Sequence, residues 1–148
     1  MCKMKRRVCL LTLILTLCSL NLWAQGGADR IVGTYFAKLS HNDAKVKAFK
    51  YQDGYRLQIF WLKTTKYPDG TLKVDSKNPD VSKRSTPMSQ VVLVDKVTYK
   101  DGIWKNGRIY DPTSGKSYKV ELSLDGKQLE VKGKLGPFSK CMYWTKVE

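Results

Sequence analysis

Few residues in this chain could do chemistry, and they are scattered. The one histidine, His41, stands beside Asn42 and Asp43. A Ser/His/Asp or Cys/His site would rest on it alone, so a surface position is expected. Cys2, Cys9 and Cys18 lie in the first 24 residues, which leaves Cys141 single in the remainder. One cysteine and one distant histidine make no metal-ligand set. The aromatic run from Cys141 to Trp144 suggests a small buried residue rather than a reactive thiol. Gly115, Lys116 and Ser117 end like a phosphate-binding loop. Yet Tyr110 stands where such a loop needs glycine, and a strand pattern follows where a helix should aim its amides at phosphate. Asp111, Pro112, Ser114 and Gly115 therefore read as a turn.

Paired carboxylates remain as an enzymatic route. Asp75 and Asp80 are the acids least explained by turns or charged strand faces, and loop stabilisation is expected of both. An enzyme would need one of them to meet Arg108 or Tyr110 in one cleft. The reading preferred is therefore no catalysis, no metal and no cofactor.

Binding has more to work with. Trp104, Arg108 and Tyr110 share strand parity, which places an arginine on the same face as two aromatics. An inward arginine in an aromatic-walled cavity is costly unless paired, so it would anchor a ligand carboxylate or phosphate. The candidate polar contacts are Arg108, Tyr110 and Asn78, with Trp61, Trp104 and Tyr118 as walls. The competing reading is a filled core, with Arg108 paired to an acid such as Asp111 or reaching solvent. An eight-stranded barrel can fill with side chains or hold one small ligand.

The elements that must position these residues are strands. Asp-Gly pairs at Asp53-Gly54, Asp69-Gly70, Asp101-Gly102 and Asp125-Gly126, with Asn106-Gly107, supply the positive-φ residues of tight hairpin turns. Between them apolar and charged residues alternate. Tyr118, Val120, Leu122 and Leu124 face one way against Lys119, Glu121 and Ser123. Leu57, Ile59 and Trp61 alternate with Arg56 and Gln58. Period two with one buried face predicts strands over 31–39, 45–51, 55–63, 91–100, 103–110, 118–124, 129–135 and 140–147. Closing that meander into an antiparallel up-and-down β-barrel of about eight strands removes its open edges. Pro68, Pro79 and Pro87 break the pattern over 64–90, a long excursion of the kind that carries function or moves.

The first 24 residues are set apart as a signal peptide. Lys3, Lys5, Arg6 and Arg7 precede an apolar run from Val8 to Leu22, and Ala24 offers a small residue at the cut. Residues 25–148 then form a single barrel domain, exported to the periplasm or secreted. Setting the leader aside leaves 23 basic against 13 acidic residues, a net charge of +10. The lysines are spread along strands, as on the wet face of an antiparallel sheet, and nucleic acid is not expected as a partner of an exported protein. Weak contact with anionic envelope surfaces is compatible with the charge. A monomer or weak dimer is expected.

Several runs resemble one family. ADRIVGTY from Ala28 to Tyr35, DSKNPD from Asp75 to Asp80, GRIYDPTSGKSY from Gly107 to Tyr118, and the ending from Leu129 to Gly133 and Trp144 to Lys146 are similar to the bacterial Domain of Unknown Function 2147 family. The resemblance spans almost all of the chain after the leader. It implies a small exported protein with a lipocalin-like (calycin-like) barrel enclosing a ligand, and implies no activity. Tyr35 stands where the family and lipocalins carry a tryptophan under a basic residue of the last strand, a pairing that Tyr35 and Lys146 would reproduce. The segment after Gly133 is abbreviated, which bears on the barrel mouth there. The function expected is binding of a small, partly apolar ligand inside the barrel. The alternative is a solid-core protein that contacts an envelope or host surface through its basic face.

Overall fold

A computed structural model describes residues 27–148, so the expected signal peptide lies outside the described residues. Arg30 Nε donates to the Gly27 carbonyl at 3.2 Å in the short segment that ends at Arg30. The unit from Ile31 to Glu148 is a closed barrel. Its strands are β1 (Gly33–Leu39), β2 (Asn42–Tyr51), β3 (Gly54–Leu62), β4 (Val92–Lys100), β5 (Ile103–Asp111), β6 (Lys116–Asp125), β7 (Gln128–Leu135) and β8 (Phe138–Lys146). Each runs antiparallel to the next, and β8 returns to β1 through Tyr35 opposite Lys146 and Phe36 opposite Thr145. Asp101 and Gly102, at φ 53° and 86°, make the two-residue turn between Lys100 and Ile103, as expected of an Asp-Gly pair.

Alternation sets the core. Tyr35 and Ala37 of β1, Ala44, Val46 and Ala48 of β2, Val120 and Leu122 of β6, and Leu129 and Val131 of β7 are buried. Between them point charged residues such as Lys45, Lys47 and Lys119, which are exposed. Trp104 and Trp144 are the largest wholly enclosed side chains, and Trp104 packs against Tyr99 with ring centroids 4.9 Å apart. Tyr35 Oη donates to the Ile31 carbonyl at 2.8 Å, and Lys146 Nζ lies 5.9 Å from the centre of its ring. The aromatic-under-lysine pairing thus forms with tyrosine in place of tryptophan.

Register slips in β3, β4 and β5 overturn simple parity counting, and those in β3 and β5 bear on the predicted site residues. In β3 the register against β2 slips where Lys45 faces Trp61 but Val46 faces Ile59, so Phe60 is the extra residue. Ile59 and Leu62 point in, while Phe60 and Trp61 are half exposed on the outer wall. In β5 the register against β6 slips between Trp104 and Gly107, with Asn106 at φ 66°. Trp104, Gly107 and Ile109 are buried, and Arg108 is exposed. An inserted residue sends every later side chain to the other face. Arg108 and Tyr110 therefore do not share the inward face of Trp104, and Asn106-Gly107 is a bulge inside a strand rather than a turn. Cys141 is also exposed, because Trp144 holds the inward parity of β8.

Glycine at 107 is required by contact. A Cβ built there would lie 2.3 Å from the Asp95 carbonyl oxygen and 2.7 Å from Val97 Cγ1. Gly107→Ala is expected to lose about 2 kcal/mol or more in denaturant unfolding, as overpacked backbone contacts do. Asn106→Gly, at a positive-φ position, should cost less than half as much. Alkali offers a second check. Burial pushes the Tyr35 phenol from 10.0 up to about 12. A proton held more tightly in the fold stabilises fully below pH 10, and that contribution is lost as pH rises from 10 through 12. Melting temperature should fall across that window, and less steeply in Tyr35→Phe.

Candidate functional site

The β5 bulge turns Arg108 and Tyr110 onto the outer wall of the barrel, and the excursion over 63–91 folds back to meet them. Its own turns are held by backbone bonds, among them Lys73 N to Thr65 O (2.8 Å), Asp75 N to Thr86 O (2.9 Å) and Met88 N to Lys73 O (2.9 Å). Asp80 caps the short turn Val81–Lys83 by accepting from Ser82 N. Side chains tie the excursion to the barrel. Gln58 Nε2 donates to the Gln90 carbonyl at 2.8 Å, and Lys77 Nζ to the Thr113 carbonyl at 2.7 Å.

The tie that shapes the site is Asp75, 2% exposed in spite of its charge. Tyr110 Oη donates to its Oδ1 at 2.7 Å, and Asn78 Nδ2 donates to its Oδ2 at 2.7 Å. Both carboxylate oxygens are thus satisfied, as a buried anion requires. Burial, and then the bond to Asp75, raise the Tyr110 phenol well above its ordinary range, so it stays a neutral donor.

Beneath this node lies a groove of about 710 Å³ between the excursion and β3, β4 and β5. Arg56, Lys83, Lys96 and Arg108 contribute positive charge to its lining, and Asp75 and Asp95 negative charge. Val92 and Leu93 add apolar floor. Arg56 is committed: its Nε and Nη2 reach Asp95 at 3.0 and 3.3 Å, and its guanidinium stacks on Tyr51 at 3.6 Å. That hydrogen bond to Asp95 raises its pKa, so it remains a cation. Arg108 differs. Its Nη2 donates to the Ser117 carbonyl at 2.8 Å, and among the described residues it pairs with no carboxylate. The site can therefore offer an anion a guanidinium on a partly apolar floor.

The structure brings Asn78, Arg108 and Tyr110 together in this groove. It does not bring the three aromatic walls to them. Trp104 is enclosed in the barrel, Trp61 stands on the outer wall with Lys45 Nζ 5.7 Å from its ring centre, and Tyr118 is half-buried opposite Ile109 on the inward face. Asp111 is not the partner of Arg108; it holds its own turn by accepting from Thr113 N and Ser114 Oγ. The sequence offered Asp75 as a loop-stabilising acid and as one that an enzyme would need beside Arg108 or Tyr110, and it does meet Tyr110. Arg56 was read only as part of an alternating strand, and Asp95 was not singled out. Asp75 and Tyr110 are 35 positions apart, and no local pattern joins them.

Comparison with known proteins agrees with this architecture. A family described as "uncharacterized protein conserved in bacteria (DUF2147)" matches residues 33–146. No curated protein sequence matches. The solved structure of protein HP1028 from Helicobacter pylori, described as belonging to the lipocalin family, is similar with a TM-score of 0.63 and 21% identity. The similarity covers 80% of this chain and 83% of that one.

Removing the Tyr110 hydroxyl would leave a buried carboxylate oxygen one donor short, which costs on the order of 1–3 kcal/mol. Tyr110→Phe is expected to lose stability in that range and to speed limited proteolysis within 63–91, with the barrel strands still protected. Unchanged proteolysis would mean that the bond does not hold the excursion.

Proposed function

From a chain that belongs to the DUF2147 family and folds as a lipocalin-like barrel, we propose an exported protein that binds a small, partly apolar ligand without transforming it. The site favoured is the outer groove rather than the barrel axis. The observation that carries this is Arg108, a guanidinium in a groove wall with one backbone contact and no carboxylate partner among the described residues. A ligand carboxylate or phosphate would complete its bonding. Val92 and Leu93 suit an apolar body beside that group. Binding is preferred to catalysis because the buried acid, Asp75, has both oxygens taken by Tyr110 and Asn78. The axis is occupied by Trp104, Trp144, Tyr35, Leu57 and Leu122. It keeps one feature that suits an interior ligand: Trp144 Nε1 is buried without a hydrogen-bond partner among the described residues.

A second reading concerns the exterior. Arg108, Lys119 and Lys134 are successive register partners across β5, β6 and β7, an unbroken row of three cations. Like charges placed directly opposite are unfavourable by themselves. The row supports association with anionic envelope surfaces, through a periplasmic or secreted location set by the leader.

Native mass spectrometry of the protein purified gently from its own host, followed by extraction, separates these possibilities. A bound small molecule is expected in the wild type. Arg108→Ala should weaken its retention about tenfold or more, as loss of a charge-assisted contact does. A ligand kept by Arg108→Ala but lost by Trp144→Phe would move the site to the axis. A wild type with no bound molecule would leave the surface reading.

A further inference from the structure

We propose that the tip of the β7–β8 hairpin is a membrane-docking element, which inserts Leu135 and Phe138 into the interface of an anionic bilayer while neighbouring lysines engage its headgroups. The proposal rests on the surface reading above and names its partner and its point of contact. Leu135 and Phe138 face each other across the two-residue loop of Gly136 and Pro137. They are 62% and 74% exposed, although one sits beside the other at the extremity of the barrel. A turn needs glycine and proline for its backbone; it has no need of two large apolar neighbours held in water. Single exposed apolar residues are ordinary, but a pair at a projecting tip is a contact surface.

Topology gathers more at the same end. With strands alternating in direction, the end of β3 and the β7–β8 turn share one mouth of the barrel. The β3 bulge has placed Phe60 and Trp61 near that mouth on the outer wall, across the ring of strands from β7, 50% and 40% exposed. Large aromatics belong to the zone between headgroups and acyl chains, where an apolar ring meets polar surroundings.

Charge identifies the partner. Lys134 adjoins Leu135, and Lys140 follows Phe138 by two residues. Lys119 lies opposite Lys134, and Arg108 opposite Lys119. Against these stand Glu121, which takes the ammonium of Lys134, and Asp111, whose charge is felt by Lys140, which leaves four cations against two acids. An apolar tip within an excess of fixed cations complements a surface with apolar depth and anionic heads, which describes an anionic bilayer. Lysines near such a surface add attraction that salt screens. A polysaccharide offers the charge without the depth.

The test uses protein expressed with its own leader and recovered after export, mixed with vesicles of phosphatidylcholine containing about one-third phosphatidylglycerol. Wild type should sediment with these vesicles, more weakly at high salt, and scarcely with phosphatidylcholine alone. The double variant Leu135→Ser, Phe138→Ser should partition about tenfold more weakly, because the inserted apolar area is gone. Phe138→Trp should retain binding. Unchanged melting of each variant verifies the fold, since the altered side chains are largely exposed. Wild-type binding by the double variant would overturn the docking tip while leaving electrostatic association standing. No binding to anionic vesicles would overturn both, and equal binding to neutral vesicles would overturn the role of the lysines.

Discussion

An inserted residue in a β-strand exchanges the inner and outer faces for everything that follows, and in β5 that residue is Asn106. Its positive φ and the missing side chain of Gly107 let the strand kink against Asp95 and Val97. Before the kink, Trp104 fills the barrel; after it, Ile109 takes the inward place and Arg108 and Tyr110 turn out. Only from outside can Tyr110 reach Asp75 in the excursion, and only then does the excursion wall a groove beside Arg108. The outward Arg108 and the tie from Tyr110 to the buried acid follow from this one irregularity, while β4, which adds Val92, Leu93 and Lys96 to the groove, carries register shifts of its own against β3, with Lys96 at φ 60°.

A closed barrel of eight strands can hold one small ligand on its axis. Here large residues occupy that axis, and an eight-stranded barrel is just wide enough to be filled this way. The excursion supplies a concave surface outside instead. Its anchoring is distributed: Gln58, Thr113 and Tyr110 each hold a different part of it. The groove is thus a feature of the long connection as much as of the strands.

Much of the fold was legible because its signals are local. The Asp-Gly turn at Asp101 and the clean alternation of β6 depend on neighbouring residues alone, and the predicted eight strands match the observed ones. The bulges were not legible. Period-two counting assumes an unbroken ladder, so it carried Trp61 inward after Ile59 and Arg108 inward after Trp104. Asn106-Gly107 did signal positive φ, but the same dipeptide serves turns and bulges, and pairing with β4 and β6 decides between them. Cys141 was misplaced for a related reason, since the large Trp144 sets the parity of β8. Of the candidate groove, three lining residues, Asn78, Arg108 and Tyr110, were legible as residue types. Their meeting place was not, because Asp75 joins Tyr110 through a contact between distant segments.

A crystal structure of the protein purified gently from its own host tests the proposed ligand site most directly. Density in the outer groove, with an anionic group against Arg108 and an apolar portion over Val92 and Leu93, is the result expected. Density along the barrel axis beside Trp144, with the groove holding only solvent, would contradict this account.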